Sequence, residues 1–350
     1  MIHFFPRYTN DASADPIAVE LRRLGIPHRF FATQISQRYR AKSTLFLVVY
    51  PRLAWVAMRD AVRSMVLSQP KPSVVIVGTD VEALVFGVVR SLTFSQTRVV
   101  MQTLIITPRR HWVLNKLYHA YFSVILGLID GAICHSRAEV ATYPRQFRSP
   151  RCRFAFVPYG MTVSPSVIRQ VEARSDSRAG DVVTAGRSNR DYRTLAAAIE
   201  GLDCRLRIIC DLNDPVADLP ASGQITVLSD CFDLDYFTEL AAAKFVVVPL
   251  SSDSQSAGQM VLLQASALGK AMIVTRSQTT VDYGTDGLDV IFVEIGDVGG
   301  MRAAIKRLLQ DDALRERLGA NARERFHREY SSEVYARNVV AALKAMDLYA

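Results

Sequence analysis

Residues 181–200, DVVTAGRSNRDYRTLAAAIE, form the most informative local pattern in this chain. An apolar run, typical of a strand buried on both faces, ends at Gly186; a short polar loop follows, and a helical pattern begins near Asp191. In open α/β sheets, ligands bind beyond the carboxyl ends of the strands. Here that position offers Arg187 and Arg190 beside a helix N-terminus, which together suit a diphosphate. The alternative, that both arginines are solvated loop residues, stays open.

A second strand, loop and helix of the same kind follows at residues 246–275. The strand leads into a small polar loop, and the next helix begins at about Gln259 and stops at Gly269, a typical C-terminal glycine. Backbone N–H groups at this helix start would point toward an anion. They belong to Ala257, Gly258 and Gln259. Gln264 lies on the same apolar helix and therefore needs a hydrogen-bond partner, either a ligand or a neighbouring loop.

Short apolar runs alternate with helix-period segments along the whole chain, which predicts an α/β fold with doubly wound parallel sheets. The predicted strands are 28–33, 45–50, 73–78, 98–103, 131–136, 153–158, 181–186, 205–210, 224–229, 244–250, 270–275 and 290–295. A length of 350 residues favours two domains, and proline and glycine residues at 157–166 indicate a linker. We predict Rossmann-like domains at 1–163 and 164–328 facing each other across a cleft. A C-terminal helix at 329–350 could cross back to the first domain.

Charge is distributed unevenly along the chain. Residues 1–164 carry 21 Lys and Arg and 8 Asp and Glu, whereas the remaining residues carry 21 and 26. This basic excess, together with a basic segment that precedes an apolar helix at 106–129, predicts a patch that contacts an anionic membrane surface. The patch consists of Arg109, Arg110, Trp112 and Lys116. The alternative is a buried helix with a solvated basic end. No nucleic-acid-binding module is recognised, so nucleic acid is not expected as a partner.

The cysteines exclude two classes of protein. Five cysteines form no CxxC pair and no cluster with histidine, so neither a zinc site nor a disulfide framework is indicated, and no metal is expected. This usage favours a reduced, cytoplasmic compartment. The N-terminal residues lack the pattern of a secretory signal, and the longest apolar stretch, residues 120–134, is too short to span a bilayer.

The order of these features resembles glycosyltransferases of the GT-B fold, specifically the large retaining family 4. Five features carry the resemblance. They are Gly186-Arg187 after a strand, VPLSSDS (248–254), VLLQASALGKAMIVT (261–275), DYGTDGLDVIFVEIGD (282–297) and LRERLGANARERF (314–326). The first half resembles the family more faintly, through DGAICHSRAEVATYPRQF (130–147) and FVPYGMT (156–162).

The resemblance implies roles for particular residues of the second half. The basic pair that grips the donor diphosphate falls on Arg187 and Arg190, beside Gly186, and the family's EX7E carboxylates fall on Ser256 and Gln264. The sequence departs from the family at both EX7E positions. The Gln264 amide oxygen can still accept hydrogen bonds from ribose hydroxyls, whereas Ser256 is too short to replace a carboxylate at the donor sugar.

Candidate residues of the first half are less specific. Relatives usually carry a glycine-rich loop after the first strand, where this chain has a polar loop that includes Asn10. Relatives often place a histidine after the strand that here ends in Gln102 and Thr103. Asp80 follows another strand, where it could face the cleft or cap a helix.

The resemblance implies a hexosyltransferase of class EC 2.4. It would transfer a sugar, with retention and without a metal, from a nucleotide-diphosphate sugar to a glycan or lipid-linked glycan. The donor is then a substrate, and no cofactor is needed. The expected setting is bacterial polysaccharide or glycolipid synthesis at the inner face of the cytoplasmic membrane. Two alternatives remain: a non-catalytic GT-B protein that binds or serves as a scaffold, and a nucleotide-sugar epimerase, which would need acid–base carboxylates and histidines.

Overall fold

The chain forms two compact units. The computed structural model describes residues 1–6, 11–32, 46–107, 111–172, 174, 181–211, 215–220, 222–253 and 255–349. The first unit consists of Met1–Val157 and Ser332–Ala350, and the second consists of Pro158–Ser331. The sequence-based boundaries at 163 and 328 therefore lie six residues after and three residues before the structural ones. The C-terminal helix belongs to the first unit.

The first unit contains a six-stranded parallel sheet with the order β2-β1-β3-β4-β5-β6. The strands are β1 (Ile2–Phe4), β2 (His28–Phe30), β3 (Val74–Val77), β4 (Arg98–Met101), β5 (Gly131–Cys134) and β6 (Arg153–Phe156). The helices are α1 (Pro16–Arg23), α2 (Phe46–Ala61), α3 (Asp80–Leu92), α4 (Trp112–Leu128), α5 (Arg137–Phe147) and α12 (Ser332–Ala345). A π-helical segment, Val62–Leu67, continues α2.

The second unit repeats this architecture with the strand order β12-β11-β10-β7-β8-β9, again all parallel. Its strands are β7 (Val182–Ala185), β8 (Leu206–Ile209), β9 (Ile225–Leu228), β10 (Phe245–Val248), β11 (Met272–Thr275) and β12 (Ile291–Val293). Its helices are α6 (Pro165–Glu172), α7 (Tyr192–Ile199), α8 (Asp233–Ala242), α9 (Gln259–Ala267), α10 (Val298–Gln310) and α11 (Asp312–Arg325).

The inner strands of both sheets are buried on both faces, as their apolar sequences predict. Successive side chains of a strand point to opposite faces, so Val74 and Ile76 enter one core of the first unit while Val75 and Val77 enter the other. The predicted α/β class with two doubly wound parallel sheets is thereby confirmed. This topology brings the loops that follow neighbouring strands to one edge of each sheet.

One predicted strand is wrong. The sequence predicts a strand at 45–50, but α2 begins at Phe46 and includes residues 46–50, while residue 45 lies outside the described residues. A short apolar run fits a buried strand and a buried helix equally well, and only its continuation with helical periodicity separates the two. The strand beside β3 is β1, three residues at the very start of the chain and ahead of the polar loop that includes Asn10.

A buried ion pair fixes the position of α3 in the first unit. The Asp130 carboxylate, 2% exposed, binds the Arg90 guanidinium, 3% exposed, and accepts a 2.9 Å hydrogen bond from the Val99 amide. The more exposed Arg98 and Arg151 lie 3.5 and 3.0 Å from the same carboxylate. Removing its charge would leave Arg90 buried without a close counter-ion.

Asp130→Asn should therefore destabilise the protein by about 3 kcal/mol or more, because a buried guanidinium loses its partner charge. Asp347→Asn is the matched control, since Asp347 pairs with Arg153 while 84% exposed and should cost less than about 1 kcal/mol. Urea unfolding followed by circular dichroism measures both. Equal losses from the two substitutions would contradict the importance of the buried pair.

Candidate functional site

The candidate site lies at the carboxyl ends of β7 and β10, where one asparagine joins the two loops. The Asn189 side chain donates to the Ser252 carbonyl at 2.8 Å and accepts from the hydroxyls of Ser251 and Ser252 at 2.8 and 2.9 Å. The Ser251 amide also donates to the Asn189 carbonyl at 3.2 Å. Asn189 has a φ of 57°, a left-handed conformation that asparagine tolerates better than most residues. The two loops are therefore held together.

The loop between β10 and α9 is also tied to the segment after β11. The Ser256 hydroxyl lies 3.1 Å from the Thr279 hydroxyl, and the Gln278 amide donates to the Asp253 carboxylate at 2.5 Å. Three loops consequently meet at one edge of the second sheet. Within this arrangement the first predicted EX7E position, Ser256, contacts a neighbouring threonine.

Arg187 extends along the surface of this edge. Its side chain is 59% exposed, and its Nη1 donates to the Asp211 carboxylate at 2.9 Å, just after β8. An ion pair this exposed contributes little to stability, so the guanidinium can exchange Asp211 for a bound anion at small cost. Arg187 therefore has the accessibility that a phosphate ligand requires.

Arg190 has a different position from the one expected. Its guanidinium folds back under the loop, where Nε donates to the Ala185 carbonyl and Nη1 to the Ser188 carbonyl, both at 2.8 Å. Gly186 makes room for it: the φ of Gly186 is +113°, and a Cβ there would lie 2.8 Å from the Arg190 Cζ. In this structure Arg190 shapes the loop, and a contact between Arg190 and phosphate stays a prediction.

The N-terminus of α9 lies at the same edge. Gly258 is its N-cap with a φ of +90°, and a Cβ there would lie 3.1 Å from Val248. No side chain of the described residues caps this helix, so the first N–H groups lack the usual capping partner. The first of these N–H groups belongs to Gln259, the first residue of α9. Both Gln259 and Ala257, the residue before the N-cap, are buried. An uncapped helix start of this kind favours an anion.

Gln264 finds its hydrogen-bond partner in a residue that the sequence analysis missed. The Tyr236 hydroxyl, on α8, donates to the Gln264 Oε1 at 2.6 Å. Burial raises the pKa of Tyr236, so the hydroxyl keeps its proton and remains a donor. Nothing in the spacing of α8 distinguishes Tyr236 from its neighbours, because the contact depends on how α8 packs beside α9.

The predicted cleft residues of the first unit lie near strand ends. Asp80 is the first residue of α3, whose N-cap is Thr79, and its carboxylate accepts a 3.2 Å hydrogen bond from the Tyr121 hydroxyl. Glu82 completes a capping box with Thr79, and burial raises the pKa of Glu82 to about 7. Asn10 lies outside the described residues.

Gln102 and Thr103 are almost completely buried after β4. The Gln102 amide donates to the Tyr335 hydroxyl at 3.2 Å, and the Thr103 hydroxyl lies 3.4 Å from Nε2 of His135, a fully buried histidine after β5. The Gln102 contact joins the end of β4 to α12, and the Thr103 contact joins it to the residue that follows β5. Their side chains have internal partners, and a contact with substrate stays a prediction.

Comparison with known proteins identifies part of the second unit. Residues 174–311 match the family model described as Glycosyl transferases group 1. This segment resembles a group 1 glycosyltransferase domain. The match contains Arg187, Arg190 and the whole of α9.

Curated relatives cover only part of the chain. It is 31% identical over 123 residues to the lipopolysaccharide core biosynthesis glycosyltransferase LpsE of Rhizobium meliloti (strain 1021), which is 35% of each chain. It is 32% identical over 74 residues to the capsular polysaccharide biosynthesis glycosyltransferase CapM of Staphylococcus aureus, 21% of this chain and 20% of CapM. The chain thus matches about a third and a fifth of the lengths of these relatives.

Similar solved structures extend over nearly the whole chain. Sucrose-phosphate synthase from Thermosynechococcus elongatus matches with a TM-score of 0.69 and 17% identity, covering 99% of this chain and 98% of that one. Anabaena HepE in complex with UDP and glucose matches with a TM-score of 0.62 and 12% identity, covering 98% and 99%. At these identities the similarity shows the fold alone. The fold around the group 1 domain is GT-B, as the sequence resemblance predicted.

The predicted membrane patch is described in part. Arg109 and Arg110 lie outside the described residues, whereas Trp112 is 67% exposed with the Lys116 amine 5.0 Å from its ring centroid. Further exposed apolar side chains of α4 are Val113, Leu114, Leu117 and Val124. Among the helices that the structure describes, none has the length and hydropathy needed to cross a bilayer.

No group of three or more His, Cys, Asp or Glu side chains that could hold a metal ion occurs among the described parts of the chain. All five cysteines are free thiols.

Gly186→Ala should destabilise the second unit by about 1–3 kcal/mol, because a left-handed φ is strained for alanine and the new Cβ would displace Arg190. The matched control is Gly223→Ala, where a Cβ meets no atom within 4 Å, and it should change stability by less than about 0.5 kcal/mol. Urea unfolding followed by circular dichroism compares them. Indistinguishable unfolding midpoints would show that the Arg190 packing under Gly186 does not matter.

Proposed function

We propose that this protein is a metal-independent glycosyltransferase. It moves a hexose, with retention, from a nucleotide-diphosphate sugar to a glycan or lipid-linked glycan in bacterial polysaccharide or glycolipid synthesis. The observation that carries the proposal is that Asn189 ties the loop of the exposed Arg187 to the loop that leads into the uncapped start of α9. The names of the two bacterial relatives, in lipopolysaccharide core and capsular polysaccharide synthesis, support the substrate class. The UDP complexes of HepE support the donor.

The chemistry follows from where charge develops. As the bond between the sugar and the diphosphate breaks, the leaving group gains negative charge and the anomeric carbon gains oxocarbenium character. Arg187, released from Asp211, donates to the diphosphate, and the amides at Gly258 and Gln259 point their dipoles at it. These groups stabilise the leaving diphosphate without a metal. The leaving phosphate itself takes up the proton of the acceptor hydroxyl.

Ser256 and Gln264 define how this site departs from its family. The Gln264 oxygen accepts from Tyr236 and has a second lone pair, with which it can accept from a ribose hydroxyl. The Ser256 hydroxyl lies against Thr279, so the backbone of Gly258 and Gln259 takes the place of the first carboxylate beside the donor sugar. We assign donor binding to these residues together with Gly186 and Ala257.

The acceptor is assigned to the first unit, and the basic patch that includes Trp112 and Lys116 is proposed to face an anionic membrane surface. Exposed tryptophan beside lysine is the combination expected at a membrane–water interface. The protein would then act at the cytoplasmic face of the membrane. Nucleic acid is not proposed as a partner.

A second candidate function is favoured by one observation, the loss of both EX7E carboxylates at Ser256 and Gln264. In that case the protein would bind a nucleotide or nucleotide sugar without turning it over and would serve as a binding or scaffold protein. Release of nucleoside diphosphate from a panel of nucleotide sugars, with and without glycan acceptors, distinguishes the two functions. Binding of a donor with no release under any acceptor would support the scaffold.

Arg187→Ala should weaken nucleoside diphosphate binding by about tenfold or more, since a charge-assisted contact to phosphate is lost. Arg193→Ala is the matched control, because Arg193 is also exposed and paired with an aspartate, Asp218, on the same unit. Isothermal titration with UDP, GDP and ADP measures both variants. Equal affinities for wild type and Arg187→Ala would contradict the assignment of the diphosphate site.

Gln264→Leu should weaken binding of the preferred nucleoside diphosphate by about fivefold or more, because a partly buried acceptor for the ribose is lost. Gln264→Glu keeps an acceptor at the same place and should bind within about threefold of wild type. A nucleoside monophosphate carries the same ribose, so the affinities of wild type and the two variants for it should follow the same order. If leucine and glutamate variants bind alike, Gln264 does not contact the ribose.

A further inference from the structure

The first unit contains a long segment with almost no acidic residues. Between residues 21 and 79 the chain has ten Lys and Arg but one acidic residue, Asp60. The Asp60 side chain is 7% exposed, so nearly all of the charge that this segment presents to its surroundings is positive. The segment contains β2, α2 and the π-helical residues Val62–Leu67, and it is separate in sequence from the patch on α4.

Three arginines of this segment line one cavity. The cavity measures about 430 Å³ and lies where β2 ends beside the last turns of α2 and the π-helical segment. Its charged lining residues are Arg29, Arg59, Arg63 and Asp60. The π-helical segment also contributes Leu67 to the lining.

The charges of this cavity are not balanced. Arg59 is paired with Asp60, with its Nε 2.9 Å from Oδ1, while the Arg29 guanidinium lies over the Phe31 ring at 5.1 Å. Among the described residues, no carboxylate lies within ion-pair distance of Arg29 or Arg63, and the undescribed stretch 33–45 contains no Asp or Glu. Two guanidinium charges are thus uncompensated. Guanidinium groups bind phosphate oxygens in paired hydrogen bonds, so the cavity suits a phosphate group.

The surface next to the cavity is apolar and exposed. Trp55 on α2 is 72% exposed and Met58 is 38% exposed, and Leu67 at the end of the π-helical segment is 67% exposed. Trp55 lies one helical turn before Arg59, so the two side chains share a face of α2. Tryptophan, aliphatic side chains and arginines on one face are typical of a surface at the membrane–water interface.

We propose that this cavity binds the phosphate of an anionic phospholipid, while Trp55, Met58 and Leu67 contact the bilayer around it. The charge of the cavity selects the phosphate, and the exposed apolar side chains select a lipid over a soluble phosphate ester. This site lies in the first unit and does not involve the donor residues of the second unit. Its test is therefore independent of the transferase activity.

The test uses the full chain and vesicles of equal parts phosphatidylglycerol and phosphatidylcholine, with pure phosphatidylcholine vesicles for comparison. Wild type should sediment with the anionic vesicles. Arg29→Gln/Arg63→Gln should bind them about tenfold or more weakly, because each cation near an anionic surface contributes to binding. Arg145→Gln/Lys344→Gln removes the same charge from exposed helix positions of the first unit and should stay within about threefold of wild type.

Two further variants distinguish a specific phosphate site from nonspecific electrostatic attraction to the vesicle surface. Arg29→Lys/Arg63→Lys keeps the charge but loses the paired donors, so it should bind the anionic vesicles more weakly than wild type. Trp55→Ala should weaken vesicle binding while leaving the affinity for glycerol phosphate unchanged. An unfolding midpoint in urea equal to that of wild type, followed by circular dichroism, shows for every variant that the first unit is folded.

Several results would overturn the proposal. If both arginine-to-glutamine pairs reduce vesicle binding equally, or if the lysine variant binds as wild type does, the cavity is not a phosphate site and general charge accounts for the binding. If glycerol phosphate binds as tightly as the vesicle surface and Trp55→Ala has no effect, the ligand is a soluble phosphate ester. Binding to neither vesicle type would reject the site altogether.

Discussion

The hydrogen bonds of one side chain, Asn189, are the constraint on which the candidate site depends. Its amide satisfies the Ser252 carbonyl and the hydroxyls of Ser251 and Ser252, and its backbone takes a left-handed conformation so that the loop can turn back. The loop that carries Arg187 is thereby held against the loop that leads into α9. Without these bonds, the cation and the helix N-terminus would have no fixed relation, and a single pyrophosphate could not contact both.

The sequence predicts diphosphate binding for both arginines of the loop, but the structure places them in different environments. Arg190 is fixed under Gly186 by two backbone carbonyls, which makes it a positioning residue of the loop. Arg187 remains exposed and is held only by an accessible aspartate, so it can move to a ligand. The arginines of the first unit differ in the same way. Arg90 is buried and paired with Asp130, whereas Arg29 and Arg63 line a cavity.

Much of the fold could be predicted from the sequence because buried parallel strands leave a simple signal. Continuous apolar runs such as VVIV and FVVV are strands, and the glycines at 186 and 258 take the left-handed conformations that their loops need. The signal fails where an apolar run is short: residues 45–50 enter a helix, and β1 has only three residues. Both loops of the site could be predicted from the sequence, because each of them follows a buried strand and precedes a helix. The inward turn of Arg190, the Tyr236–Gln264 bond and the cavity beside Arg63 depend on tertiary packing, which local patterns do not contain.

A crystal structure of the chain with a bound nucleoside diphosphate tests the central claim most directly. We expect the terminal phosphate to lie within hydrogen-bond distance of the first backbone amides of α9 and of the Arg187 guanidinium, with the Arg187–Asp211 contact broken. A diphosphate bound elsewhere, or one bound at this edge with Arg187 still paired to Asp211, would contradict the account.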